Sequence, residues 1–213
     1  MQFGPPAKSL VCISLIPWNL NSANLAIMDA PVTVCETSRL LLRHFTAADL
    51  ESLAAMHSDP EVARFIGGVK TREQTLHRLE EWMAQYQQYG FSKWAVVLRS
   101  TGELVGRCGL SPEQIDGISE WELGWTFARA HWGHGYATEA ASAAMEHCFR
   151  KLGHKRLISL IRPGNLASVR VAERIWHELR AQSAVERCTS RYVCGIFPSR
   201  EVAGARYFDV TFN

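Results

Sequence analysis

The chain predicts a mixed α/β fold, and three observations carry that prediction. Short apolar, β-rich runs cluster in the middle of the 213 residues. Runs of helical periodicity with recognisable start and stop residues lie on both sides of them. One β-rich run, "WELGWTFAR", passes straight into "AHWGHGYATEA" and an alanine-rich run, which makes a strand-to-helix junction holding Gly133 and Gly135.

In chain order, the opening is unlike the rest. "SLVCISLIPWNL" is apolar, but Pro17 interrupts it and it is too short to span a bilayer. One Lys ahead of an apolar run is only a weak likeness to a signal peptide. Met28 starts a natural domain entry, so residues 1–30 are expected to be a poorly ordered extension, with translation beginning at Met28. "RLLLRHF" (39–45) reads as a strand. Thr46 and Asp49 have capping-box spacing for a helix that puts Leu50, Leu53, Ala54 and His57 on one face, with Pro60 past its end. Thr71 and Gln74 form a second capping box, Leu76, Leu79, Met83 and Tyr86 make a core stripe, and Gly90 stops that helix.

Two β-type runs flank Ser100-Thr101-Gly102 as a hairpin, and "ISEWELGWTFAR" is a third β run. The helix after the two glycines carries Ala137, Ala140, Ala141, Ala144, Cys148 and Leu152 on one stripe and ends at Gly153. "KRLISLIRP" reads as a buried strand, Asn165 as the cap of a further helix, and "SRYVCGIF" as a last strand. With no internal repeat and no linker, residues 31–197 form one domain, followed by a tail, 198–213, of unknown role.

Composition narrows the function. A hydrophobic fraction of 47% and a net charge of +2 suit a folded globular chain, and no Lys/Arg cluster tracks a nucleic-acid backbone. Cys12, Cys35, Cys108, Cys148, Cys188 and Cys194 make no C-x-x-C pair, and no His pair has zinc spacing. They are expected to be reduced, mostly buried thiols of a cytoplasmic protein without a metal, a Cys188–Cys194 disulfide being the alternative.

The junction is where chemistry enters. Glycines at a strand end let the backbone turn and let a ligand approach it. The N–H groups of the following helix start carry partial positive charge and favour an anion. No Gly-Lys-Ser/Thr follows, so this is not a P-loop, and the third glycine of a dinucleotide fingerprint is absent.

The order strand, G-x-G, alanine-rich helix, strand, then Asn-x-x-Ser opening a helix resembles the GNAT superfamily of N-acetyltransferases. "WELGWTFARAHWGHGYATEA" is similar to its acetyl-coenzyme A segment, and most so in the branch that acetylates ribosomal-protein N-termini. "TSRLLLRHFTAADLESL", "HSDPEVARFIGG", "GELVGRCGL" and "RPGNLASVRVAERI" are similar to that branch's other segments in order, over residues 36–176.

The resemblance implies a central, mostly antiparallel mixed sheet flanked by helices, with acetyl-CoA as cosubstrate where two central strands splay. It implies a monomer or homodimer acting on a small-molecule or peptide amine, with no nucleic-acid or membrane partner. It places the pyrophosphate on His131, Trp132, Gly133, His134, Gly135, Tyr136 and Ala137, and the pantetheine arm along Thr126, Phe127 and Ala128. Asn165 and Ser168 fall near the thioester and the leaving thiolate.

An alkyl amine must lose a proton before it attacks, so a carboxylate near the site has a role. Glu120 and Glu122 share one strand face, and Glu122 is the candidate base or water holder. Each candidate also has a structural alternative: Asn165 as a helix cap, Ser168 as a first-turn hydrogen bonder, Glu139 as a dipole partner, and His131 and His134 as surface loop residues. Loops near 65–70 and 115–119 are the substrate loops. After "VAER" the chain departs from the family, with Ile175-Trp176-His177-Glu178 in place of a glycine ending, and residues 166–180 lack the tyrosine that many members use as general acid. That departure leaves open a non-catalytic acyl-CoA binding or sensing module.

Overall fold

The structure, a computed structural model, describes residues 31–115, 117–175, 194–196, 201–202 and 205–212, and only the backbone of the last three of these segments. The expected extension at 1–30, Cys12 and Cys188 lie outside the described residues.

Strands β1 (Thr33–Glu36) and β2 (Leu40–Arg43) lead into helices α1 (Leu50–Ser58), α2 (Pro60–Ala63) and α3 (Arg72–Tyr89). Strands β3 (Lys93–Leu98), β4 (Leu104–Ile115) and β5 (Ile118–Phe127) follow, then α4 (Tyr136–Arg150), β6 (Arg156–Ile161) and α5 (166–175). The chain closes with β7 (Cys194–Ile196), β8 (Glu201–Val202) and β9 (Ala205–Phe212).

Local chemistry explains these boundaries. Thr71 Oγ1 accepts from Gln74 N (3.2 Å) while Gln74 Oε1 accepts from Thr71 N (3.0 Å), which starts α3 as a complete capping box. Asp49 likewise accepts from Thr46 N (2.8 Å), and Arg43 grips its carboxylate with two 2.7 Å contacts. Pro60 opens α2 rather than merely following α1, because its missing N–H is no loss at a first helical position.

The strands form one sheet in the order β1-β2-β3-β4-β5-β6-β9-β7, with β8 on β9. All pairings are antiparallel except β5 with β6. The expected last strand is therefore followed by two more, and β9 pairs with β6 along its whole length, Arg156↔Thr211 to Ile161↔Arg206.

Alternation splits the sheet into two faces. Trp94, Val96, Cys108, Leu110 and Leu123 pack with Ala140, Ala141, Ala144 and Cys148 of α4 and with Val169, Ala172 and Ile175 of α5. Ala95 and Val97 on the opposite face pack with Leu53, Met56, Leu79 and Trp82 of α1 and α3. Leu50, Leu53 and His57 of the expected α1 stripe and Leu79 and Tyr86 of the expected α3 stripe are buried, with Met56, Thr75 and Trp82 added, while Ala54, Leu76 and Met83 are partly buried.

Candidate active site

The site begins where β5 and β6 part. β4 and β5 pair over ten residues, but β5 and β6 share one register pair, Glu122↔Ile158. Ser159 Oγ then donates to Leu123 O (2.7 Å), and beyond it the strands separate. Ala128 N donates to Val105 O (2.9 Å) on the β4 side. Antiparallel alternation therefore turns the backbone groups of Trp125 and Phe127 toward the open edge. Phe127 O accepts from Trp132 Nε1 (2.8 Å), which leaves Phe127 N–H and both groups of Trp125 free of strand pairing. Of the three residues expected along the pantetheine arm, Phe127 thus offers its N–H while its side chain sits in the core, and Ala128 has spent its N–H on β4. Thr126 offers a buried hydroxyl with no hydrogen-bond partner among the described residues.

A cavity of about 370 Å³ occupies this gap and opens on the α1–α3 side. Glu122, Thr126, Asn165 and Ser168, from two strand positions and one helix start, all line it. Asn165 Oδ1 accepts from Ser168 N (3.1 Å) and so caps α5, which fixes both residues at the cavity wall. The Ser168 hydroxyl has no partner among the described residues. Phe65, Ile66 and Lys70 of the expected substrate loop are on the wall too, whereas Ile115, Gly117, Ile118 and Ser119 of the other expected loop are not.

Glu122 is not a lone carboxylate. Its Oε2 accepts from Lys93 Nζ (2.9 Å) and Ser111 Oγ (2.9 Å), and its side chain keeps 16% exposure, toward the cavity. Lys93 is buried and also donates to Gly109 O (2.9 Å). Burial pushes the Glu122 carboxyl up, but the Lys93 ammonium and the Ser111 hydroxyl outweigh it and hold the group below the usual carboxylate range. Gly124 makes room for this pair: a Cβ there would stand 2.8 Å from Lys93 Nζ and 2.9 Å from Glu122 Oε2. Glu120 faces the same way but pairs with Arg156 at 2.9 Å and does not line the cavity.

The turn from β5 to α4 is a separate feature beside the cavity. Gly133 (φ 80°) and Gly135 (φ 79°) both hold the left-handed backbone that glycine favours. Gly135 is the N-cap of α4 and brings no side-chain acceptor, so the first-turn N–H groups are left for an outside partner. Arg39 braces this turn from β2's entry. It donates to His134 O (3.0 Å), pairs with Glu139 Oε2 (2.5 Å) and lies over the Tyr136 ring (4.7 Å). Glu139 also accepts from Thr37 Oγ1 (2.5 Å) and Arg39 N (3.1 Å). His131 pairs with Glu103 (3.1 Å) and His134 stacks on Tyr136 (5.5 Å), which accounts for both histidines as loop residues. Trp132 is half exposed at the turn, and Ala137 and Tyr136 are partly buried at the helix start.

Three of the expected thiols fall among residues with described side chains. Cys35, Cys108 and Cys148 are free, and burial raises Cys35 to about 11 and Cys108 to about 12, so they stay protonated and are not nucleophiles. Among the described residues no group of three or more His, Cys, Asp or Glu is placed to hold a metal. No helix among them is long and apolar enough to cross a membrane. Arg39, Lys93, Ser111 and Arg107 were not predicted. Their signal in the sequence is weak, because each acts on a partner far along the chain.

The splayed strands, the glycine turn and the capped Asn-x-x-Ser helix stand in the order that the resemblance implies. Residues 39–175 match the family model described as the acetyltransferase (GNAT) domain, so the chain belongs to the GNAT family and is an N-acetyltransferase. It is 40% identical over 144 residues to the uncharacterized protein YkkB of Bacillus subtilis, covering 65% of this chain and 81% of that one. It is 31% identical to the uncharacterized N-acetyltransferase YoaA of the same organism, covering 65% and 78%. The crystal structure of an acetyltransferase from Agrobacterium tumefaciens superposes with a TM-score of 0.64 at 26% identity, covering 82% of this chain and 92% of that one. The ribosomal L7/L12 α-N-protein acetyltransferase RimL, solved with coenzyme A, has a TM-score of 0.57 at 16% identity over 84% and 97%, which is a likeness of fold alone.

Proposed function

We propose that the chain transfers acetyl from acetyl-CoA to a primary amine, by direct attack of the amine in the cavity between β5 and β6. The observation that carries this reading is the convergence of Glu122, Ser168 and the unpartnered Thr126 hydroxyl in one cavity at the strand splay. The residues fit the cosubstrate. The left-handed Gly133 and Gly135 and the uncapped start of α4 suit a pyrophosphate, and Trp125, Phe127 and Thr126 offer free polar groups to a strand-like amide arm. Acetyl-CoA supplies an acetyl group activated as a thioester.

The chain's own residues do the rest. Glu122 is ionised and too acidic to be a strong base, but its Oε1 is free to accept from an incoming ammonium and orient it. The ammonium proton leaves through water at the cavity mouth. The amine nitrogen then bonds to the acetyl carbon as the C–S bond breaks, the Ser168 hydroxyl donates to the sulfur as it takes up charge, and the surplus proton on nitrogen passes by way of water to the departing thiolate. Asn165 positions Ser168 by capping the helix. No covalent enzyme intermediate is needed, which agrees with the protonated thiols. The acceptor class in this reading is a small molecule or a peptide N-terminus. The test is thiol release from acetyl-CoA over a panel of amines. Amine-dependent release with a matching acetylated product is expected, and binding of acetyl-CoA without release to any amine would replace this reading with an acyl-CoA binding module.

A further inference from the structure

The cavity's charge is one-sided. Lys70, Arg78, Lys93, Arg107 and Arg162 line it, against two carboxylates, Glu113 and Glu122, of which Glu122 is already paired with Lys93. Arg78 is partly spent on Glu81 (2.8 Å). Arg107 is different. It rises from β4 beside Thr126, lies over the Trp82 ring (5.2 Å), and its Nε is buried with no hydrogen-bond partner among the described residues. Its guanidinium is only partly buried and feels the attraction of Glu122, but the buried Nε has no acceptor, which an anion beside it would supply. At the rim, Lys70 Nζ and Arg162 Nη2 each lie 3.9 Å from the point where a Cβ on Gly67 would stand, so both cations converge on the 65–70 loop. Neither has a side-chain partner among the described residues.

We infer that the acetyl acceptor is a primary amine carrying its own anionic group, held with the ammonium at Glu122 and the anion toward Arg107, Lys70 and Arg162. The inference rests on the acetyl-transfer reading and sharpens it to a class of acceptor. It excludes polycations such as aminoglycosides or polyamines, which this lining repels. Buried His57 on the same wall agrees. Burial first, then Arg107, Lys70 and Arg78, keep its ring neutral.

The test separates the two claims. Calorimetry with acetyl-CoA comes first, and absence of binding defeats the acetyl-transfer reading and this one with it. Initial rates are then measured with β-alanine and aspartate, with O-phosphoethanolamine, with neutral ethanolamine, and with cationic ethylenediamine. The anionic amines are expected to show kcat/KM about tenfold or more above ethanolamine, with the carboxylate and phosphate arms telling which anion fits. Lys70→Glu and Arg107→Met are expected to raise KM for the preferred anionic amine about tenfold without changing the Kd of acetyl-CoA. Lys70 is at the rim, so its variant reports even where the Arg107 substitution fails to fold. Equal or better turnover of ethanolamine or ethylenediamine overturns the inference. So does bound acetyl-CoA with no turnover of any anionic amine.

Discussion

The same strands build the sheet's two faces from alternate residues, yet the faces hold different matter. On β4, Cys108 and Leu110 point to the α4–α5 side, while Arg107 and Ser111 point to the cavity on the α1–α3 side. On β5, Leu123 and Phe127 join the apolar face, while Glu122, Gly124 and Thr126 join the charged one. The apolar face buries a continuous core that fixes the sheet. The other face is apolar only toward β2 and β3, and becomes a charged cavity where β5 leaves β6. The apolar core thus joins the strands to α4 and α5, while the splay exposes polar groups of the same strands to the cavity where the proposed binding would occur.

The comparison is most sharply broken at the Lys93–Glu122 pair. Lys93→Met leaves a buried carboxylate without its cation and is expected to cost about 3 kcal/mol or more, read from the denaturant midpoint. The double variant Lys93→Met with Glu122→Leu is expected to regain most of that stability and to have no acetyl-transfer activity. Adding the Glu122→Leu single variant completes the cycle, and a coupling energy near zero would show that the pair is not coupled. Next in size, Ser168→Ala is expected to lower kcat about a hundredfold with KM for acetyl-CoA unchanged. A fall in acetyl-CoA affinity instead would make Ser168 a binding residue.

Acid sharpens the same contrast. An unfolded histidine titrates near 6.5, but burial and then the cations of the cavity hold His57 down to about 3. Below pH 6.5 the unfolded chain binds the extra proton, so stability falls with pH by about 1 kcal/mol per unit. Equilibrium unfolding between pH 6.5 and about 5, above the carboxylate range, is expected to show this slope, and His57→Gln to remove His57's share of it while His44, His147 and His154, also lowered by burial, keep theirs. The smallest effect is expected at the turn. Arg39 is half exposed, so Arg39→Ala is expected to weaken acetyl-CoA binding by only about 1 kcal/mol, measured by titration.

What the sequence disclosed follows the same division. The glycine turn was legible because its geometry lies in the backbone: two glycines at a strand end before a helix state it locally. The capping boxes at Thr46 and Thr71 and the α4 stripe were legible for the same reason, since their partners are three or four residues away. Glu122 could be placed on a strand face, but Lys93 is 29 residues distant and Arg39 lies 100 residues from Glu139, so neither pairing has a local signature. Arg107 in an apolar β run gave no sign of facing a cavity rather than solvent. The strand β9 was missed although Phe208 to Phe212, "FDVTF", alternates apolar and polar residues. Its partner β6 lies about 50 residues earlier, and no turn signal joins them.

The central claim is that acetyl-CoA binds at the β5–α4 turn and along the β5–β6 splay. It is tested most directly by calorimetric titration of acetyl-CoA into the chain and into Gly135→Trp, whose side chain would block the cradle and strain a left-handed position. The account predicts micromolar binding by the unaltered chain, about −8 kcal/mol, and none by the variant, with both folded by circular dichroism. Undiminished binding by Gly135→Trp, or no binding by the folded unaltered chain, would contradict it.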